Sequence, residues 1–289
     1  MAGVLVTGSH GQLGKEMQQK AGNFPGYSFF FKDIDSLDIT EFNGLERFFI
    51  GNTIDYIVNC AAYTAVDKAE TEITEAEKIN ITGVENLTKI AEKAGARLIH
   101  ISTDYVFDGK NYRPYKEDYP TSPAGVYGRT KLEGEVKIRK YSNAMIIRTS
   151  WLYSSFGNNF VKTMLRLAKE KDSLKVVYDQ TGSPTYAGDL AAAILEIIQK
   201  SENRNPEFIP GVFNYSNEGV CSWYDFAKAI METANLKCHI YPIETKDFPT
   251  PAKRPHYSVL DKTKIKTNFN LEIPYWRDSL KKCLIKLTT

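Results

Sequence analysis

The chain has 289 residues, 42% of them apolar and 25% charged, with 37 Lys and Arg against 35 Asp and Glu and a formal net charge of +2 at pH 7. That composition belongs to an ordinary globular protein and excludes wholesale disorder, while the near balance of charge excludes a broad basic field for a nucleic acid or an anionic membrane. At this length one α/β domain with a smaller dependent lobe is favoured over two independent domains.

The first apolar run, Val4 to Thr7, has no basic leader before it and is interrupted by Gly8 and Gly11 before a secretory core can form, so the expected location is the cytoplasm. Directly after it comes Thr7-Gly8-Ser9-His10-Gly11-Gln12-Leu13-Gly14, which opens a helix running through Lys15-Glu16-Met17. A G-x-x-G-x-x-G between the first strand and first helix of a βαβ series points to a dinucleotide. Backbone without Cβ atoms approaches a pyrophosphate closely, and the helix N-terminus offsets its charge. Further runs follow at Tyr27 to Phe31, Tyr56 to Cys60, Arg97 to Ser102 and Ala144 to Arg148, each separated by enough chain for a crossover helix. That rhythm predicts an α/β fold with a doubly wound, Rossmann-like parallel sheet. Lys32 beside Asp33 ends the second run and leaves NADP and NAD both open, since a basic residue there welcomes a 2′-phosphate and an acidic one a ribose. Small residues in Asn59-Cys60-Ala61-Ala62-Tyr63-Thr64 leave room for a cofactor across the third strand's end, and serve strand–helix packing nearly as well. Thr74 to Ala94 reads as one amphipathic helix stopping before Gly95.

The segment Tyr127-Gly128-Arg129-Thr130-Lys131 falls in a predicted helix, so phenol and ammonium lie one turn apart on one face. A cation beside the phenol lowers its pKa from about 10 and makes it a proton donor or acceptor near neutrality. The pair follows the strand end Ile101-Ser102-Thr103-Asp104, at the edge where such sheets bind ligands, and the Thr103 hydroxyl there can hold a substrate oxygen against the phenol or simply cap local backbone.

After Trp151 the rhythm loosens. A helix is expected over Asn159 to Glu170, a strand over Lys175 to Tyr178 and another helix over Gly188 to Lys200, giving a Rossmann domain over 1–150 with later additions and a smaller α/β substrate lobe over 151–289. The Pro-rich stretch Phe248 to Pro255 predicts an ordered surface loop or a flexible arm. Cys60, Cys221, Cys238 and Cys283 are too far apart for a metal or redox pair, and adjacent Cys238 and His239 point to opposite faces of an alternating strand. No apolar stretch is long enough to span a bilayer.

Longer segments carry a resemblance. TGSHGQLGKE, NCAAYTAVDKAE, STDYVFDG, VYGRTKLEGE, RTSWLY, NNFVKTMLRLAKE, DQTGSPTY and TPAKRPHYSVLD together resemble the extended short-chain dehydrogenase/reductase superfamily and, within it, the dTDP-4-dehydrorhamnose reductase family, over nearly the whole chain. The resemblance implies NAD(P)H-dependent reduction of a dTDP-linked 4-keto-6-deoxysugar, the last step of dTDP-L-rhamnose synthesis, with Tyr127 as proton donor. It implies Gly11, Gln12 and Leu13 on the dinucleotide, Asp38 and Ile39 beside its adenine portion, and Ala62, Tyr63, Thr64 and Ile101 along the path to the nicotinamide. Thr103 and Asp104 face the sugar. Trp151 contacts the thymidine end, where an indole is a stacking platform as well as a core aromatic. Asn158, Asn159 and Arg254 are candidates for the diphosphate. Members of the family are described with magnesium at a dimer contact; Glu16 fits that role, but few partner carboxylates stand near the terminus, so no essential metal is expected and a homodimer stays open. An epimerase or dehydratase that retains its cofactor, or a non-catalytic subunit of the same fold, are the competing readings.

Overall fold

The computed structural model describes residues 1–204 and 206–288; Asn205 and Thr289, both inside the 151–289 lobe read from sequence, lie outside the described residues. The chain opens with β1 (Ala2–Thr7), α1 (Gln12–Ala21), β2 (Tyr27–Phe31), α2 (Phe42–Gly51) and β3 (Tyr56–Asn59). Two short helices follow, α3 (Val66–Ala69) and α4 (Ile73–Glu77), then a π-helical segment, Lys78–Gly83, and α5 (Val84–Ala94). Next come β4 (Arg97–Thr103), α6 (Val126–Ile138), β5 (Ala144–Thr149) and β6 (Leu152–Tyr153). The remainder is α7 (Phe160–Glu170), β7 (Ser173–Val177), β8 (Thr181–Gly182), β9 (Thr185–Tyr186), α8 (Ala187–Glu202), β10 (Gly211–Tyr215), β11 (Cys221–Ser222), α9 (Trp223–Thr233), β12 (His239–Ile243), α10 (Thr263–Phe269) and α11 (Trp276–Thr288).

The central sheet has six parallel strands in the order β10-β5-β4-β3-β1-β2. Because β2 lies on one side of β1 and β3 on the other, the strand order reverses there, and a crevice opens at the carboxyl ends of β1 and β3. The strands read as unbroken apolar runs because helices cover both faces: Val4 to Val6, Tyr56 to Val58 and Met145 to Ile147 are all buried. One layer is built with α1 and α8, the other with α2, α5 and α6. Thus α8, β10 and α10, all after residue 150, contribute to the main core through Leu190, Ile194, Phe213 and Phe269.

The remaining C-terminal elements form a second core around Tyr153, Val161, Met164, Phe226, Ile230, Trp276 and Leu280, with the parallel pair β7 and β12 at its edge. There the expected strand over Lys175 to Tyr178 begins two residues earlier and ends one residue earlier. Buried Leu174 and Val176 alternate with exposed Ser173 and Lys175, and pairing with His239–Ile243 fixes that register. Cys238 is buried while His239 is exposed, so the two do point apart.

The expected single helix over Thr74 to Ala94 is interrupted by the π segment. Within it the buried Asn80 side chain accepts from Tyr63 N through Oδ1 at 3.0 Å and donates through Nδ2 to Tyr63 O and Thr130 Oγ1 at 3.2 and 3.1 Å. Gly134 lets α6 press onto this turn, since a Cβ there would sit 2.3 Å from Asn80 O. The Pro-rich loop is ordered: Asp67 on α3 accepts from Ala252 N at 3.1 Å and from Arg254 Nη2 at 2.6 Å.

Candidate active site

A cavity of about 720 Å³ lies along the strand tips, from the glycine loop to the start of the lobe. At its near end β1 hands over to the loop at Gly8, whose φ of +63° and whose approach to Ala61, 2.5 Å from a would-be Cβ, admit only glycine. Gly11 sits at the N-cap of α1 with no side chain bonded to the helix's first N–H groups. Gly8, Gly11, Gln12 and Leu13 line the cavity, so open amide donors and the positive helix end meet it there, and they fit a dinucleotide pyrophosphate. Gly14 does not line it: a Cβ there would lie 2.5 Å from Gly8 O, so its role is to let helix and loop touch.

Farther along β2's end, Asp33 lines the cavity, its carboxylate accepting from His10 N at 2.7 Å and Ile34 N at 2.9 Å. Lys32 instead lies over the Phe48 ring, 5.4 Å from its centre. Asp38, Ile39 and Thr40 form the adjoining wall; Asn86 holds the last two through their carbonyls at 3.1 and 3.0 Å, and Gly83 makes room for the Ile39 side chain.

In the middle, Ala62 and Thr64 line the cavity but Tyr63 turns away, its hydroxyl donating to Glu72 at 2.6 Å. Ile101, Thr103 and Asp104 arrive from the end of β4, and Tyr127 and Lys131 from the first two turns of α6. The Thr103 hydroxyl donates to Asp104 Oδ1 at 3.0 Å and accepts from Tyr105 N at 3.2 Å. Asp104 Oδ2 is buried with no partner at hydrogen-bond geometry among the described residues, and burial pushes this carboxyl up to about 7 against the pull of Thr103. Burial likewise pushes the Tyr127 phenol up to about 12; the Thr103 hydroxyl draws it down and the Asp104 charge raises it again.

Lys131 does not supply the lowering that the one-turn spacing predicts. Its Nζ donates to Ile101 O at 2.8 Å and meets His100 Nε2 at 3.2 Å, back toward the sheet. Burial pulls Lys131 down to about 8, with Glu135 and Cys60 acting the other way. The arrangement is therefore a protonated phenol beside two oxygen-bearing side chains, with Lys131 held back against β4: a proton donor for an oxygen that gains negative charge.

At the far end Trp151 lines the cavity with φ of +48°, a costly conformation for a bulky residue. Stacking on Trp223, ring centres 3.6 Å apart, and the close approach of Gly182 hold it there. Asn158 lines the same wall, whereas Asn159 caps α7 by accepting from Lys162 N at 3.1 Å and donates to Gln12 Oε1 at 2.9 Å. Arg254 is outside this cavity, in a smaller one of about 210 Å³, its Nη1 buried without a hydrogen-bond partner among the described residues. Glu16 is buried, accepting from Ser154 Oγ at 2.7 Å and Lys286 Nζ at 3.2 Å, and among the described residues no group of three or more His, Cys, Asp or Glu could hold a metal.

Several lining residues escaped the sequence reading. His10 sits inside the glycine loop and Tyr105 and Ser150 follow strand ends, so local position marks them without assigning a role, whereas Gly157 carries no such mark. His100 and the Glu135–Arg148 pair behind the cavity were missed too; ionisable residues in apolar segments were their only mark.

The family described as RmlD substrate binding domain matches residues 1–289. A dTDP-4-dehydrorhamnose reductase of Aggregatibacter actinomycetemcomitans is 40% identical over 97% of this chain and 98% of its own. The crystal structure of a dTDP-4-dehydrorhamnose reductase from Clostridium acetobutylicum superposes with a TM-score of 0.92 at 40% identity, covering 99% of this chain and 100% of that one. That of the Bacillus anthracis dTDP-4-dehydrorhamnose reductase, in complex with NADP, gives 0.93 at 39% identity with the same coverage.

Proposed function

The chain belongs to the dTDP-4-dehydrorhamnose reductase family, and from that premise we propose that it reduces the 4-keto group of dTDP-4-dehydro-L-rhamnose to give dTDP-L-rhamnose, the last step of dTDP-rhamnose synthesis, using NADPH or NADH. The observation that carries this reading is the convergence of a glycine loop with open helix amides and a buried, protonated phenol on one cavity.

The coenzyme, when bound, supplies hydride to the keto carbon. Gly8, Gly11, Gln12 and Leu13 hold its pyrophosphate, Asp38 and Ile39 flank the adenine end, and Ala62, Thr64 and Ile101 guide the remainder toward Tyr127; Gly14 and Tyr63 act from behind, by packing. Thr103 orients the carbonyl oxygen, and Tyr127 gives that oxygen its proton as negative charge develops. A phenol kept protonated suits reduction, since the acid must hold its proton until the alkoxide forms. Asp104, half-neutral at pH near 7 and with only Oδ1 engaged by Thr103, takes a sugar hydroxyl on Oδ2. Trp151 and the lobe after it receive the thymidine end, and Asn158 the diphosphate. Lys131 binds the coenzyme ribose. Four cysteines, all free, accord with a reducing cytoplasm.

Tyr127→Phe removes the donated proton and little else. Its turnover is expected to fall by roughly 10²–10⁴-fold, as loss of a general acid does, with coenzyme affinity by fluorescence titration unchanged. Near-normal turnover in that variant removes Tyr127 as the acid.

A further inference from the structure

The helix that carries Tyr127 begins without a cap of its own. α6 is entered from the irregular stretch 107–125, and its N-cap is Gly125, extended and with no side chain to meet the helix's first amides. Ser, Thr, Asp and Asn are the usual occupants of that position, because an oxygen there engages amides that have no partner inside the helix. The missing oxygen comes from far along the chain. Glu70, at the C-cap of α3, accepts from Val126 N through Oε1 at 2.9 Å. Gly125 makes room for it, since a Cβ at that position would stand 2.6 Å from the same Oε1. Val126 is the first residue of α6 and Tyr127 the second, so the carboxylate grips the backbone immediately before the phenol. α3 is itself held from two sides. Ala69 is buried with Tyr63 and Ala76 in a small cluster against which Val126 and Tyr127 pack. About one turn before Glu70, Asp67 binds the Pro-rich loop through Ala252 N and Arg254 Nη2, and just upstream Thr64 and Val66 line the cavity.

We propose that Glu70 is a positioning residue for the reaction: by capping α6 from α3, it sets where Tyr127 stands against the cavity wall formed by Thr64 and Val66. The other contacts of Tyr127 do not supply this. Thr130 Oγ1 donates to Tyr127 O at 3.1 Å, which ties α6 to itself. The Tyr105 ring meets the Tyr127 ring edge to face, 5.5 Å between centres, which steadies the phenol without anchoring the backbone before it. Loss of the Glu70 oxygen would leave the first turn of α6 to fray, and the phenol rides on that turn. This role rests on the reading of Tyr127 as the acid, and Tyr127→Phe tells the two apart: near-normal turnover in that variant removes the acid itself, whereas a slow Tyr127→Phe beside a Glu70→Ala of full turnover removes only the part given to Glu70.

Glu70→Ala is expected to lower kcat by roughly 10- to 100-fold, the scale on which a misplacement of about 1 Å acts, with KM for the coenzyme unchanged and with the Val126 amide exchanging its hydrogen with solvent faster than in the parent. Glu70→Gln, whose amide oxygen still accepts from Val126 N, is expected to recover most of that turnover and the slow exchange. A second site gives the sharper test. Oε1 and Cδ of Glu70 are the atoms that a Cβ at position 125 would meet, so Glu70→Ala opens the space, and Gly125→Ser added to it supplies a cap from α6's own N-cap position. That double variant is expected to regain kcat. A group that only stabilised the fold would move the urea midpoint and leave kcat where it was. The parent's kcat in Glu70→Ala, a Glu70→Gln as slow as Glu70→Ala, or no gain from Gly125→Ser overturns the proposal. Should Glu70→Ala not fold, Glu70→Asp, which keeps the charge and loses the reach, takes its place, and full turnover in it overturns the proposal equally.

Discussion

The chain up to Thr149 and the chain after it build their parts of the crevice by different means. The first uses backbone. Strand tips, a glycine turn and helix N–H groups set the wall, and the side chains behind them are locked into paired networks such as Thr7–Asn59–His100 and Glu135–Arg148. The second uses side chains. Its strands β6, β8, β9 and β11 are two residues long, and its wall is an aromatic stack of Trp151 on Trp223, with Phe160 and Phe226 beneath. A backbone-built wall serves any dinucleotide, whereas a side-chain wall can be shaped to one sugar nucleotide. Damage to the first should cost folding; damage to the second should cost substrate recognition.

The strongest way to break that contrast is at Glu135. Both its oxygens are held by Arg148, at 2.9 and 2.7 Å, and neither side chain is exposed. Glu135→Gln leaves a buried guanidinium without its counter-charge and is expected to lose about 3–5 kcal/mol in urea unfolding. The pH dependence follows from the same pair. Burial alone would raise the Glu135 carboxyl, but Arg148 and Ser102 outweigh it and hold the carboxyl below its usual value. The pair's stabilisation is thus present above the unfolded carboxyl's pKa of about 4.3 and drains as pH falls through the lower folded value. The parent should lose stability over that acid range and Glu135→Gln should not show the same slope.

A gentler test sharpens the other half. Trp223→Ala removes the ring beneath Trp151 and should raise KM for the sugar nucleotide by about threefold to tenfold, the worth of an aromatic pair of roughly 0.5–1.5 kcal/mol, leaving coenzyme affinity alone. An equal loss for coenzyme and sugar would erase the distinction between the two walls.

What could be read from sequence divides along the same line. Continuous apolar strands, the glycine turn and the Tyr127–Lys131 spacing are local patterns fixed by backbone geometry, and the sheet and the cavity residues Gly11, Thr103 and Tyr127 follow from them. The π turn at Asn80, the register of β7 and the Trp151–Trp223 stack depend on partners 17 to 72 positions away in the chain, which no local pattern encodes. The spacing of Tyr127 and Lys131 was legible, but the direction of the amine was not: a helix face says which residues are neighbours, while buried His100 and Ile101 on another element decide where Nζ points.

The central claim is that hydride and proton meet at one carbonyl and the coenzyme leaves oxidised. It is tested most directly by mixing the purified protein with reduced coenzyme and dTDP-4-dehydro-L-rhamnose and counting both reactants. One coenzyme oxidised for each sugar reduced is the predicted result; sugar converted with no net oxidation of coenzyme would contradict it.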